Sequence, residues 1–225
     1  MTVQQLISHD IEPLAPTDTV GGAVYRFADI DESHLPVVSD EGHLVALVSE
    51  TEMLEVTTPG VALGALPGLG VLSVSPDAHV FEAATLLAAH GLSVLPIADA
   101  DGDYLGVVSR RAVFELFASI LSTSQAGTIL VLEVPPRDYS LSQLAHLIEQ
   151  NGGRVLSVTT QPPRDGAGDP TSPLRVTLKL NVTDTARIRH VLEHKGYNVA
   201  VVYNEEETED DLSLRVQEFM RYLEV

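Results

Sequence analysis

The stretch His34–Glu55, HLPVVSDEGHLVALVSETEMLE, is written again sixty positions later as Val94–Glu115, VLPIADADGDYLGVVSRRAVFE. Without a gap the two share Leu35/Leu95, Pro36/Pro96, Gly42/Gly102, Val48/Val108, Ser49/Ser109 and Glu55/Glu115. The same offset pairs Pro16 with Pro76, Val20 with Val80 and Ala23 with Ala83. A register held over this length marks one supersecondary unit used twice. Each unit is too small to bury its own apolar strands, so the two must pack on each other.

Both copies read alike in physical terms. A Pro-bearing turn leads into an amphipathic helix, Thr19–Phe27 or His79–His90. An apolar strand follows (Leu35–Val38; Val94–Ala98), then an acidic turn ending in Gly42 or Gly102, then a second apolar strand (Leu44–Val48; Tyr104–Val108). A short Asp/Glu-Gly turn between apolar runs predicts a hairpin. Ser49 and Ser109 stand where the next helix begins, as N-caps. With a leading strand, each unit is expected to run strand–helix–strand–strand–helix.

The chain has 225 residues, 44% of them hydrophobic, enough for one large or two small domains with real cores. No apolar run reaches membrane-spanning length and no basic, hydrophobic leader opens the sequence, so a cytoplasmic protein without membrane contact is expected. The absence of cysteine removes disulfides, thiol catalysis and thiolate metal sites. A net charge of −19, from 13 Lys+Arg against 32 Asp+Glu, argues against nucleic acid, whose phosphates require a basic face. Only Lys179 and Lys195 are lysines. Acidic, lysine-poor composition suits high internal salt, where the Debye length falls to about 3 Å at 1 M and self-repulsion is screened. An ordinary acidic protein from a GC-rich genome is the other reading.

The order of hydrophobic-Pro strand, acidic-Gly turn, (Gly/Ala)-hydrophobic-Val-Ser and helix resembles a tandem pair of cystathionine-β-synthase-type (CBS) domains, a Bateman module. The resemblance covers both repeats, about 1–60 and 61–120. It implies a pseudo-twofold disc that senses adenosine-containing nucleotides in its clefts, dimerises and does not catalyse. The family's binding motif is a small residue, two hydrophobics, Ser/Thr, two residues and Asp. A hydroxyl at a helix start faces ribose and phosphates, and the carboxylate accepts from ribose hydroxyls. The first copy reads Ala46-Leu47-Val48-Ser49-Glu50-Thr51-Glu52, with Glu for Asp; the second reads Gly106-Val107-Val108-Ser109-Arg110-Arg111-Ala112, without the carboxylate. The resemblance thus implies a ligand site drawn from Leu35, Pro36, Ser49 and Glu52 and from Leu95, Pro96, Ser109, Arg110 and Arg111. The arginines are placed to hold phosphate oxygens. The plainer reading leaves both serines as caps, Glu52 as a favourable charge at a helix start and the arginines solvated.

Pro59–Gly70, PGVALGALPGLG, links the repeats as a loop with one short helical turn, and residues 121–127 form a boundary. From Thr128 the pattern predicts strand Thr128–Val134, a helix capped by Ser140 and closed by Asn151-Gly152-Gly153, strand Arg154–Thr160, a polar loop, strand Leu174–Leu180, helix Asp184–Lys195 and strand Tyr197–Tyr203. This β-α-β-β-α-β order over 128–204 is that of a ferredoxin-like α+β domain. It resembles an ACT domain, a regulatory module that binds amino acids at interfaces, although Tyr139 stands where the family's loop glycine is usual. The combination resembles acetoin-utilisation accessory-type CBS–CBS–ACT proteins.

His190-Val191-Leu192-Glu193-His194 matches the H-x-x-E-H pattern of inverted zinc peptidases, without a third ligand in view. Residues 205–225 open with an acidic run, and Leu212, Val216, Phe219, Met220 and Leu223 share a helical face that is expected to pack on this chain, on a partner or, as the favoured reading, within a homodimer. The expectation is a non-enzymatic, dimeric regulatory protein binding AMP, ADP, ATP or S-adenosylmethionine, with no resident cofactor or metal. The alternatives are a ligand-free scaffold for an unknown partner enzyme and, on the H-x-x-E-H match alone, a hydrolase.

Overall fold

A computed structural model describes residues 1–66, 70–161 and 172–204. The acidic run and amphipathic helix expected over 205–225, and most of the polar loop in the C-terminal half, lie outside the described residues.

Each sequence copy builds helix–strand–strand–helix. The first comprises α1 (Val20–Ala28), β1 (His34–Val38), β2 (Leu44–Ser49) and α2 (Glu50–Glu55). The second comprises α3 (Val80–Ala89), β3 (Val94–Ala98), β4 (Tyr104–Ser109) and α4 (Arg110–Ile120). Thr19 caps α1 by accepting from the Gly22 N–H, and His79 caps α3 by accepting from the Phe81 N–H. The hairpins are antiparallel in matching register: Leu35 faces Val48, Leu95 faces Val108, and each is irregular at the same place, Val37/Val38 and Ile97/Ala98. Gly42 and Gly102 turn the chain at φ +91° and +87°, a conformation glycine adopts without steric cost.

The leading strand of each unit is shorter than the sequence pattern suggests. It amounts to one residue: Leu14 donates to the Pro36 carbonyl and accepts from the Val38 N–H, and Val74 does the same with Pro96 and Ala98. Pro13 and Pro16 bracket Leu14, and Pro76 follows Val74; a residue without an N–H cannot extend a ladder.

The copies are completed by exchanged segments. In the linker, the Val61 carbonyl accepts from Val20, while Leu63 donates to Asp18 and Gly64 to Pro16. Sixty residues earlier the bonds recur one for one: Met1 accepts from Val80, Val3 donates to Ala78 and Gln4 to Pro76. Val3 and Leu63 are fully buried. The N-terminal segment therefore packs on the second copy, and the linker, with a short helical turn at Leu63–Ala65, packs on the first. Residue 60 divides the repeats along the chain but not in space. Beyond this exchange Ser8 pairs with Val107 so closely that a Cβ on Gly106 would sit 2.7 Å from Ile7 Cγ2 and 2.8 Å from the Ser8 carbonyl. The first copy carries Ala46 at that place.

The hairpin tips also meet: Leu44 donates to Gly102, Tyr104 donates to Gly42, and His43 Nδ1 lies 2.9 Å from Asp103 Oδ1. The Tyr104 hydroxyl is buried without a hydrogen-bond partner, and burial pushes its pKa up to about 12. The first repeat has an apolar core of Leu14, Val20, Phe27, Leu35, Val37 and Met53 with their neighbours.

Residues 1–116 make one compact unit and the chain from Phe117 a second. The second contains β5 (Thr128–Val134), α5 (Leu141–Gln150), β6 (Val155–Gln161), β7 (Leu174–Leu180), α6 (Ala186–His194) and β8 (Asn198–Asn204). Its sheet runs β6-β7-β5-β8, every neighbouring pair antiparallel. Alternation places Leu130, Leu132 and Val134 of β5 with Val176, Leu178 and Leu180 of β7 in a core closed by Leu144 and Ile148 of α5 and by Ile188 and Leu192 of α6. Ser140 caps α5 from the Gln143 N–H. The second helix starts at Ala186 rather than Asp184, because the Asp184 carboxylate turns to accept from the Ala186 N–H just ahead of it.

Candidate functional site

The two helix starts that the repeat marks are built differently. At α2 the Ser49 hydroxyl accepts from the Glu52 N–H (3.1 Å), and Glu52 Oε2 accepts from both the Ser49 N–H (2.9 Å) and the Ser49 hydroxyl (2.8 Å). This is a complete capping box. The extra methylene that distinguishes Glu from Asp lets this carboxylate reach back to its own helix start. At α4 the Ser109 hydroxyl accepts from the Ala112 N–H at 3.0 Å, and Ala112 has nothing to return.

The arginines that follow Ser109 are both engaged. Arg110 donates from Nε (2.8 Å) and Nη2 to the Leu92 carbonyl. Arg111 Nε lies 2.8 Å from Glu115 Oε1 in an exposed i,i+4 pair, and Asp31 is near enough to act on it electrostatically. Together with Asp31, Glu32, Ser93 and Phe114, the two arginines line a cleft of about 420 Å³. Phe114 is 71% exposed. Of the cationic side chains in the chain, residues 1–116 hold only Arg26, Arg110 and Arg111, and Arg26 is paired with Glu12. An acidic unit thus gathers its two remaining cations at one cleft, beside an aromatic ring and two carboxylates.

The cleft adjoins a polar seam between the copies. Ser33 donates its N–H to Ser93 Oγ (3.1 Å), Ser93 donates its N–H to His34 Nδ1 (3.3 Å), and Ser33 Oγ lies 3.0 Å from the same nitrogen. Burial holds the His34 pKa below its ordinary value; Glu52 raises it and Arg110 lowers it further.

The residues expected from sequence therefore separate into three groups. Arg110 and Arg111 line the cleft. Ser49, Glu52 and Ser109 act as helix caps. Leu35, Pro36, Leu95 and Pro96 are buried in the strands, and Pro36 and Pro96 offer their carbonyls to Leu14 and Val74. Asp31, Glu32, Ser93 and Phe114 line the cleft without having been singled out in the sequence. Ser33 and Ser93 had left a signal, being another identity at the sixty-residue offset. Asp31 and Glu32 had left none, since the second copy has Gly91 and Leu92 at their places.

A second cleft, of about 540 Å³, lies in the other unit and is lined by Glu133, Arg137, Asp138, Tyr139, Lys195 and Tyr197 among others. Burial, helped by Asp138, raises the Tyr197 pKa. Tyr139 presents its ring here, packed against the core where a glycine would leave the backbone open. In the H-x-x-E-H stretch, His190 and His194 stack with ring centres 6.5 Å apart on α6, and Glu193 is hydrogen-bonded to Arg189 at 2.9 Å. Among the described residues no group of three metal-ligating side chains assembles, and no helix is long and apolar enough to cross a membrane.

Residues 3–58 and 66–119 each match the CBS domain family. The chain is 24% identical over 111 residues to an inosine-5'-monophosphate dehydrogenase of Methanocaldococcus jannaschii, covering 49% of this chain and 22% of that one. It is 27% identical over 99 residues to an A-adding tRNA nucleotidyltransferase of Aquifex aeolicus, covering 43% and 12%. The chain thus spans less than a quarter of the length of these curated relatives. Among solved structures, CBSX2 in complex with AMP is 26% identical with a TM-score of 0.48, covering 53% of this chain and 97% of that one. A CBS domain pair/ACT domain protein from Thermotoga maritima is 21% identical with a TM-score of 0.49, covering 54% and 99%.

Proposed function

From the premise that the chain carries a tandem pair of CBS domains, we propose that it is a non-catalytic regulatory protein whose CBS pair binds an adenosine-containing nucleotide in the cleft at the start of α4. The observation that carries this reading is the convergence of Arg110, Arg111, Phe114, Asp31 and Glu32 on one cleft of about 420 Å³ in an otherwise acidic unit. That size falls within the range of roughly 300–1,000 Å³ typical of small-molecule sites. A guanidinium has five N–H donors, so Arg110 keeps others for phosphate oxygens after bonding Leu92. The Arg111–Glu115 pair is solvent-exposed and weakened by screening, so a phosphate can recruit Arg111 at little cost. The exposed Phe114 ring offers a face for a base. Asp31 and Glu32 take the ribose role that the family resemblance implied for Glu52, whose Oε2 is engaged by its own helix start.

The second unit acts in assembly or signal output. Its element order and its β6-β7-β5-β8 sheet support an ACT-type module, and the Tyr139 side chain favours a structural over an amino-acid-binding role. A homodimer is the proposed working form. A ligand regulates only by binding two conformations unequally, so nucleotide must favour one arrangement of the repeats.

A ligand-free scaffold is the second reading, favoured by the closed capping box at Glu52 and by Ala112 in the second copy. Calorimetric titration with AMP, ADP, ATP and S-adenosylmethionine separates the two. Saturable heat with at least one of them, abolished in the double substitution Arg110→Ala/Arg111→Ala, is expected. No heat with any of the four, at low salt or in molar KCl, would leave the scaffold.

A further inference from the structure

Each copy places a serine just before its hairpin, and each serine carbonyl receives the first N–H of the helix that follows. Glu50 donates to Ser33 (3.0 Å) and Arg110 donates to Ser93 (2.8 Å). The two serines then meet across the seam. If the seam were symmetric, each N–H would donate to the other's hydroxyl. Ser33 does so, to Ser93 Oγ. Ser93 does not: its N–H donates to Nδ1 of His34, and Ser33 Oγ approaches the same nitrogen. The second copy has Val94 where the first has His34, so nothing equivalent exists on the other side.

An imidazole nitrogen accepts a hydrogen bond only while it carries no proton. We propose that His34 is a proton-operated latch on the seam between the repeats, and that its protonation releases Ser93 and loosens the cleft that Ser93 and Arg110 line. The mechanical path is short. The Ser93 residue that gives its N–H to His34 gives its carbonyl to Arg110, and the neighbouring Leu92 carbonyl holds the Arg110 guanidinium. The charged groups that act on His34 come from both helices: Glu52 of α2 favours the charged imidazole, and Arg110 of α4 opposes it. Burial opposes it most, so the imidazole is neutral over a wider range when folded than when unfolded. Because the folded-state pKa is the lower one, the latch contributes fully above the unfolded value of about 6.5, and its contribution is lost as pH falls through the folded value.

The latch requires no ligand; only its consequence for the cleft rests on the nucleotide reading above. Urea unfolding of the full chain at pH 7.5 and 5.0 tests it, comparing the natural protein with His34→Asn, which keeps an acceptor that does not titrate. The natural protein is expected to lose more stability on acidification than His34→Asn, the other histidines being common to both. Equal losses would overturn the latch. If His34→Asn does not fold, amide exchange in the unaltered protein decides. Protection of Ser93 should fall relative to Ser33 between pH 7.5 and 5.0, and an unchanged ratio overturns the proposal. Titration with AMP at pH 7.5 separately reports on the cleft, so a silent titration beside a pH-sensitive Ser93 would reject the nucleotide and keep the latch.

Discussion

In the first repeat α2 begins with a serine and a glutamate that satisfy each other, and no basic residue follows. In the second, α4 begins with a serine whose hydroxyl takes one N–H, and two arginines follow it into a cleft. Away from these starts several backbone bonds recur in both copies. Val3 and Leu63, Gln4 and Gly64, Leu14 and Val74, and Glu50 and Arg110 make the same backbone contacts sixty residues apart. The contrast shows which interactions a duplicated fold must keep. The hairpin ladders and the backbone bonds of the segments that complete each repeat are shared. Side chains at the helix starts and along the seam are not needed twice, so they diverge.

The exchanged segments offer the largest test. Leu63→Ala empties a fully buried site in the linker and is expected to cost about 3 kcal/mol, and Val3→Ala, its counterpart, about 2 kcal/mol, measured by urea unfolding. If either change is neutral, that segment is not part of the core of the opposite repeat. A smaller effect of opposite sign is expected at the hairpin tips. Tyr104→Phe removes a buried hydroxyl that has no partner and should raise stability by about 1 kcal/mol. A loss instead would mean that the hydroxyl is satisfied in solution. The smallest difference concerns the caps. Ser49→Ala breaks a capping box and Ser109→Ala a single bond, so the first should cost more, by roughly 0.5 kcal/mol within the usual range of about 0.5–2 kcal/mol for cap removal. Equal costs would show that the Glu52 carboxylate adds nothing to its helix start.

Most of the secondary structure was legible because local rules and tertiary packing agree here. Ser49, Ser109 and Ser140 cap the helices their positions predict, and Gly42 and Gly102 take the positive φ that their turns require. Strands β3, β5 and β7 have the limits their apolar runs suggest. The leading strands are shorter than the sequence pattern predicts because the prolines beside Leu14 and Val74 cannot extend a ladder. The site was legible only in part. Arg110 and Arg111 announced themselves as basic residues at a helix start. The serines and Glu52 were visible too, but a sequence cannot say whether a carboxylate four bonds from its backbone reaches outward or folds back on its own cap. Asp31 and Phe114 lie 83 positions apart, and no periodicity links them.

The sequence by itself determined that one unit is used twice, where its hairpins turn, where its helices start, and that a β-α-β-β-α-β segment follows. These depend on periodicity, glycine, proline and capping residues, all of which act over a few neighbours. Only the tertiary structure decided that residues 1–8 complete the second repeat and the linker the first, because nothing local ties Val3 to Ala78. It likewise decided that His34 replaces one of two matching serine contacts, and that Asp31 and Glu32 face Arg110 and Arg111 across a single cleft. Those are juxtapositions of residues far apart in the chain, and they form only when two copies of one unit bury their strands against each other.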